Sequence, residues 1–178
     1  MYAIIGILDS STQEQIRSVW QSLSDNGLSD YAYEVKNREP HLTLASFEKL
    51  DLATIQSIMK KLSVHYAPIK LNISSISSFL GSPIITLNPV KTPELTAFHA
   101  DLHGKISNYV ARASAYLPQY WVPHLTLANR VAEDKLASAY FHCLYHCPPI
   151  SGQLTGLKLI KIGNGQVEDI YEVPLKIV

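Results

Sequence analysis

The chain has 178 residues, 47% of them hydrophobic, with fifteen Lys and Arg against fifteen Asp and Glu and no formal net charge. This length suits one compact domain or two closely packed lobes, and the charge balance excludes a protein that coats nucleic acid by charge alone. No apolar run approaches the roughly 18 residues of a membrane span, and two cysteines, Cys143 and Cys147, are too few for a disulfide framework.

The opening stretch from Met1 to Leu8 is apolar, lacks a basic leader and runs directly into Asp9, so it predicts a buried strand over residues 2–8 and a cytoplasmic chain with reduced thiols. A helix follows, opened by Ser11 with Glu14 three residues on, which is a capping-box pattern. Its apolar stripe is Ile16, Val19, Trp20 and Leu23. A loop-rich stretch over residues 24–40 ends in Pro40 and leads into a strand at 41–47. The next helix starts near Asp51, with Leu52, Ile55, Met59 and Leu62 on one face. Residues 69–89 read as strands around the turn Gly81-Ser82-Pro83. A third helix starts at Thr92-Pro93-Glu94, with proline in its first turn and Leu95, Phe98, Leu102 and Ile106 as its stripe. A strand at 121–130, a helix from Glu133 to His146, and strands near 153–162 and 168–177 complete the chain, the last two joined at Gly163-Asn164-Gly165.

Two segments of this chain are identical. Residues 40–45 and residues 123–128 both read Pro-His-Leu-Thr-Leu-Ala. Each copy follows a loop, opens a strand and leads into an amphipathic helix, so duplication is the better account. A duplicated unit packs about a pseudo-two-fold axis, which would set equivalent residues face to face. Side chains alternate along a strand. His41, Thr43, Ala45 and Phe47 then share one face, and His124, Thr126, Ala128 and Arg130 share the equivalent face of the second copy. The leucines between them point the other way, under the helices. Pro40 and Pro123 stand at strand starts, where a missing N–H does least harm.

Two histidines and two threonines converging on one point suit phosphoryl chemistry. Threonine hydroxyls donate to non-bridging phosphate oxygens. Histidine titrates near neutrality, so one ring can accept a proton while the other gives one. Arg130 has the strand parity to add a guanidinium to the phosphate, and Phe47 the parity to offer an apolar wall or stacking face. No metal or other cofactor is required by this arrangement.

The paired motifs, with the first near residue 41 and the second near residue 124, resemble the two-histidine (2H) phosphoesterase superfamily, which includes the 2'-5' RNA ligase (LigT-like) proteins and the cyclic phosphodiesterases. The contexts Arg38-Glu39-Pro40-His41 and Trp121-Val122-Pro123-His124 are similar to those of small LigT-like proteins of Gram-positive bacteria. The resemblance implies an α+β, bilobal, duplicated fold spanning residues 1–178 as a single domain, with two antiparallel sheets, helices on the outer faces and a central groove. It implies catalytic roles for His41, His124, Thr43 and Thr126, and a nucleotide or RNA-end substrate. Family activities are the opening of cyclic nucleotide phosphates and reversible 2'-5' RNA joining. Hydrolysis of a cyclic nucleotide phosphate or an RNA-terminal 2',3'-cyclic phosphate by a monomer is the first reading. Ligation in the same site, or a non-catalytic nucleotide-binding module, is the alternative.

The remaining candidates have plainer readings. Arg38 reads as a solvent-facing loop residue beside the first motif, and Tyr120 and Trp121 as core or groove wall. His99 and His103, four apart on a helix, read as a half-exposed face, since Ala-Asp-Leu between them lacks the glutamate of a zinc protease motif. His142, Cys143, His146 and Cys147 crowd little more than one helical turn and read as amphipathic packing rather than as a zinc site.

Overall fold

The apolar opening segment forms strand β1 (Tyr2–Leu8), with Ala3, Ile4, Ile5 and Leu8 buried, in a computed structural model that describes residues 1–177. Helix α1 (Ser10–Asp25) follows at once and buries the expected stripe of Ile16, Val19, Trp20 and Leu23. Its N-cap is Asp9 rather than Ser11. The Asp9 carboxylate accepts from the Thr12 backbone N–H at 3.0 Å, the Thr12 hydroxyl at 2.7 Å and the Gln153 N–H at 2.6 Å. A carboxylate serves all three donors and favours the positive end of the helix, which a serine hydroxyl cannot match. The helix therefore starts early enough to leave Ser11 inside its first turn. Burial works to raise the Asp9 carboxyl, but these bonds hold it below the usual carboxylate range.

Strand β2 (His41–Phe47) pairs antiparallel with β1, and helix α2 (Leu52–Ser63) follows, capped by the Asp51 carboxylate on the Ala53 N–H. Ile55, Met59 and Leu62 are buried, whereas Leu52, expected on the same face, is exposed together with its neighbours Asp51 and Ala53, because the first turn lies outside the packed region. Strands β3 (Ile69–Ser77) and β4 (Ile85–Pro89) then form a hairpin whose loop carries Gly81 at φ 72°. Helix α3 (Pro93–Ile106) starts at an N-cap threonine, Thr92, and buries its four predicted apolar residues. Strand β5 (Leu125–Ala128) is shorter than the expected 121–130. Helix α4 (Glu133–His146) buries only Ala139 and Cys143 and docks on α1 through His142 Nε2 and the Ser22 hydroxyl, 2.8 Å apart. Strands β6 (Ile150–Gly163) and β7 (Gln166–Pro174) close the fold as a hairpin. Its two-residue loop, Asn164-Gly165, has positive φ at both positions (52° and 71°), the geometry that matches strand twist.

The class is α+β, with four helices and seven antiparallel strands, but the two expected sheets are hydrogen-bonded into one, in the order β2-β1-β6-β3-β4-β5. The cause is the length of β6. Along one edge it pairs with β1, and along the other it pairs first with β3 through Ile150–Leu154 and then with β7 from Gly156 onward. One strand thus joins the two halves. The core lies between the sheet and its helices, and among the described residues no helix is long and apolar enough to cross a membrane.

Strand β6 is also a place where α1 sits close against the sheet. A Cβ on Gly152 would stand 1.9 Å from the Thr12 hydroxyl oxygen and 2.8 Å from the Asp9 carboxylate. Thr12 is fully buried and already bonded, so it cannot swing away. The Gly152→Ala variant is therefore expected to lose about 2 kcal/mol of stability or more, read as a lower urea midpoint with an unchanged slope. An unchanged midpoint would show that α1 moves off β6 at no cost.

Candidate functional site

The repeated strands β2 and β5 are the two ends of the ladder, and the curl of the sheet brings them next to each other although they are not paired. Both motif histidines are set in the same way. His41 Nδ1 donates to the Glu39 carbonyl at 2.7 Å, and His124 Nδ1 donates to the Val122 carbonyl at 2.9 Å. A carbonyl only accepts, so Nδ1 carries the hydrogen and Nε2 of the neutral ring keeps its lone pair. Burial first, then the Arg38 and His124 charges, hold His41 below the ordinary histidine range, against the pull of the Glu39 carbonyl. The His124 charge acting on His41 sets the two rings near each other.

The entrance to the first motif is anchored from the sheet. Lys158 on β6 is buried, and its ammonium meets Glu39 at 3.0 Å, Asp169 at 2.8 Å and Glu172 at 3.3 Å. Burial would push this lysine down, but the Asp169 and Glu39 carboxylates hold it above the usual range. The cation fixes the Glu39 side chain, and the Glu39 backbone carbonyl in turn orients His41.

The motif threonines are held by crossed contacts between the halves. Trp20 on α1 donates its indole N–H to the Thr126 carbonyl, and Trp121 donates to the Thr43 carbonyl, both at 3.1 Å. The Tyr31 phenol lies beside the Thr126 side chain and the Tyr116 phenol beside the Thr43 side chain. Burial pushes both phenols up, so they are neutral donors facing the groove. Asn88 on β4 adds a bond from its amide to the Pro123 carbonyl at 3.1 Å. On the His124 side the groove is apolar, with Phe79 edge-on to the His124 ring at 5.0 Å.

Arg38 stands in this groove rather than in solvent. Its guanidinium lies 3.8 Å over the Tyr31 ring and acts on His41. Its Nη1 is the one buried side-chain nitrogen or oxygen without a hydrogen-bond partner among the described residues. An unpaired buried guanidinium nitrogen is costly unless an anion completes it. Strand parity does not reveal Arg38, Tyr31 or Tyr116. The signal available is the repeat itself, carried back into the two loops that precede the motifs, each of which holds more than one tyrosine.

Phe47 and Arg130 do not take the places their parity predicts. In the β1–β2 ladder Ile4 pairs with Ala45 and Ile5 with Thr43, so Leu44 is an extra residue, a β-bulge. Alternation slips there, and Phe47 turns into the core with 3% exposure instead of lining the groove. Arg130 lies beyond the end of β5 in the left-handed region (φ 55°), is exposed, and bonds Glu34 at 2.7 Å. His99 and His103 are buried, not half-exposed. Both Nε2 atoms donate to the Leu44 carbonyl, at 3.1 and 2.9 Å, and the His99 ring stacks on Trp121 at 3.7 Å. In the other histidine-cysteine cluster, Cys143 is on the buried face of α4 and His142 bonds Ser22.

The family model described as the 2'-5' RNA ligase superfamily matches residues 8–166. No curated protein sequence matches this chain. Among solved structures, TT0787 of Thermus thermophilus aligns with a TM-score of 0.68 at 14% identity, over 99% of this chain and 98% of that one. E. coli LigT complexed with NADP+ aligns with a TM-score of 0.63 at 16% identity, over 98% and 96%, and the same protein complexed with 3'-AMP aligns with the same score and identity over 98% and 97%. At these identities the likeness is one of fold.

Burial drives His99 down to about 3, with the neighbouring His103 adding repulsion, and burial lowers His103 as well. In the unfolded chain both take up protons below about 6.5, whereas the folded chain keeps them neutral. Their contribution to stability is therefore complete above pH 6.5 and is lost as the pH falls from there through their lowered folded values, about 3 for His99. Unfolding measured in urea should show a free energy that declines below pH 6.5 by roughly 1.4 kcal/mol per pH unit for each such proton. A flat profile down to pH 4 would contradict the buried neutral pair.

Proposed function

This chain belongs to the 2'-5' RNA ligase superfamily, and we propose on that premise that it is a metal-independent phosphoesterase that opens a 2',3'-cyclic nucleotide phosphate, free or at an RNA end. The observation that carries the reading is the pair of motif imidazoles, His41 and His124, each fixed as the Nδ1–H tautomer by a carbonyl two residues back. The crossed indole bonds between halves support treating residues 1–178 as one bilobal domain duplicated about a pseudo-two-fold axis. That LigT, a fold relative, is complexed with 3'-AMP and NADP+ supports a nucleotide as the ligand.

His41 is the general base. Its ring is kept neutral by burial and by Arg38, so Nε2 is free to take a proton from water as the water oxygen bonds to phosphorus. His124 is the general acid and delivers a proton to the ribose oxygen as the phosphorus–oxygen bond breaks. One proton leaves water and one reaches the leaving group, and the product is an open nucleotide monophosphate. Arg38 and the Thr43 and Thr126 hydroxyls offset the charge on the non-bridging oxygens. Arg38 takes the task that strand parity gives to Arg130, whose guanidinium is occupied by Glu34.

A panel of 2',3'-cyclic nucleotides, cyclic-phosphate-ended RNA and 2'-5' oligonucleotides, assayed in chelator, tests this. Replacing either His41 or His124 by alanine should lower kcat by about a hundred- to ten-thousand-fold, while the affinity for a nucleoside 3'-phosphate stays within about threefold. Wild-type protein inert towards the whole panel, or full turnover by either alanine variant, would end the reading. The acid limb of kcat/KM should lie below pH 6.5, because the base must be unprotonated and its folded value is lowered. Arg38→Gln removes a repelling charge, so the limb should move to higher pH. A limb that stays in place would remove Arg38 from the field of His41.

A further inference from the structure

Next to the histidine groove, between α1 and the loop over residues 31–38, lies a cavity of about 630 Å³. Three cationic side chains, Arg17, Lys36 and Arg38, line it, and none of its lining residues is acidic. Glu34, in the same loop, is already paired with Arg130. For a chain with no formal net charge this is a local concentration of positive charge. Arg38 belongs to both spaces. It faces His41 and Tyr31 on one side and lines the cavity on the other, with its unpartnered Nη1 buried between them. Trp20, whose indole bonds the second motif, forms part of the same wall.

The cavity also carries an aromatic face. Tyr33 is 56% exposed, yet its hydroxyl is pinned to the Gln21 side chain at 2.7 Å. An exposed ring held in place beside cations is the pairing that single-stranded nucleic acid uses, with a base on the ring and a phosphate on the cations. The wall is fixed in advance. The Lys36 N–H donates to the Gly165 carbonyl at 3.0 Å, and the Val167 N–H donates to the Lys36 carbonyl at 3.0 Å, so the β6–β7 hairpin holds the loop. The opposite side of the groove differs in chemistry. A cavity of about 260 Å³ is lined by His124 with Phe79, Ile84, Tyr120 and Val122, and it presents no lysine or arginine.

We propose that the cationic cavity is a second-nucleotide subsite, which takes the neighbouring phosphate and base of an oligonucleotide whose terminal phosphate sits between His41 and His124. It rests on the reading that those histidines hold a phosphate, and it assigns a substrate of at least two nucleotides. Arg17 and Lys36 serve only the added phosphate, whereas Arg38 bridges the two.

The test compares adenosine 2',3'-cyclic phosphate with the dinucleotide ApA ending in the same cyclic phosphate, in wild type and in the Arg17→Ala/Lys36→Ala double variant. Both residues are exposed, and the melting temperature of the variant confirms that it folds. The wild type should favour the dinucleotide in kcat/KM by about tenfold. The double variant should lose that preference and keep mononucleotide turnover within about twofold. Equal use of both substrates by the wild type, or a preference that survives the double substitution, overturns the subsite. A parallel titration with the 3'-phosphorylated ligands Ap and ApAp does not depend on turnover. If no substrate is turned over, the hydrolase reading fails, and the subsite is then decided by whether ApAp binds about tenfold tighter than Ap in wild type alone or equally in both proteins.

Discussion

The carbonyl of Leu44 is held by two imidazoles from one helix, and the geometry of the groove depends on that contact. The bulge leaves Leu44 without a ladder partner on β1. A carbonyl has two lone pairs, and His99 and His103 each bring an Nε2–H to it. The bonds tie α3 to the middle of the first motif. They also set the alternation of β2: His41 and Thr43, before the bulge, reach the groove, and Phe47, after it, turns into the core. The His99 ring continues the chain of contacts by stacking on Trp121, whose indole bonds the Thr43 carbonyl. A strand defect, two neutral histidines and one tryptophan thus hold the second motif's leader against the first motif's strand.

Positive charge in the groove is distributed unevenly, and this gives the two similar motifs different surroundings. His41 has Arg38 beside it, whereas His124 has the edge of Phe79. Identical six-residue frames would by themselves make the histidines equivalent. The unequal loops in front of them break that equivalence and leave one ring biased to the neutral form. On the His41 side the anchoring is ionic, through Lys158 and Glu39; on the His124 side it is amide to carbonyl, through Asn88 and Pro123.

The periodicity of the sequence locates every helix and strand, and the repeat singles out His41, Thr43, His124 and Thr126, because those features are local. What stays illegible comes from tertiary contacts. Ser11 and Glu14 form a sound capping box in isolation, but Asp9 wins because β6 supplies a third donor, the Gln153 N–H. Strict alternation cannot announce a bulge, so one inserted residue is enough to misplace Phe47. A histidine pair at helical spacing reads as surface until a carbonyl partner 55 and 59 residues away is known. Arg38 reads as a loop cation, and the ring of Tyr31 beneath it and its buried Nη1 show otherwise. The two expected sheets merge because one fourteen-residue strand is long enough to serve both halves.

That shared strand also bears on how the chain reaches its native state. β1 is made long before β6, yet β6 is one of its two neighbours, with Tyr2 opposite Lys161 and Leu8 opposite Leu154. Pairings so distant in sequence raise the contact order, and their closure is slow relative to helix formation. During synthesis the β1–α1–β2 unit can form early while the other edge of β1, rich in isoleucine, stays open until β6 has emerged. An unpaired apolar edge is a template for association with other chains, so the vulnerable interval for this protein opens with β1 and ends when β6 docks.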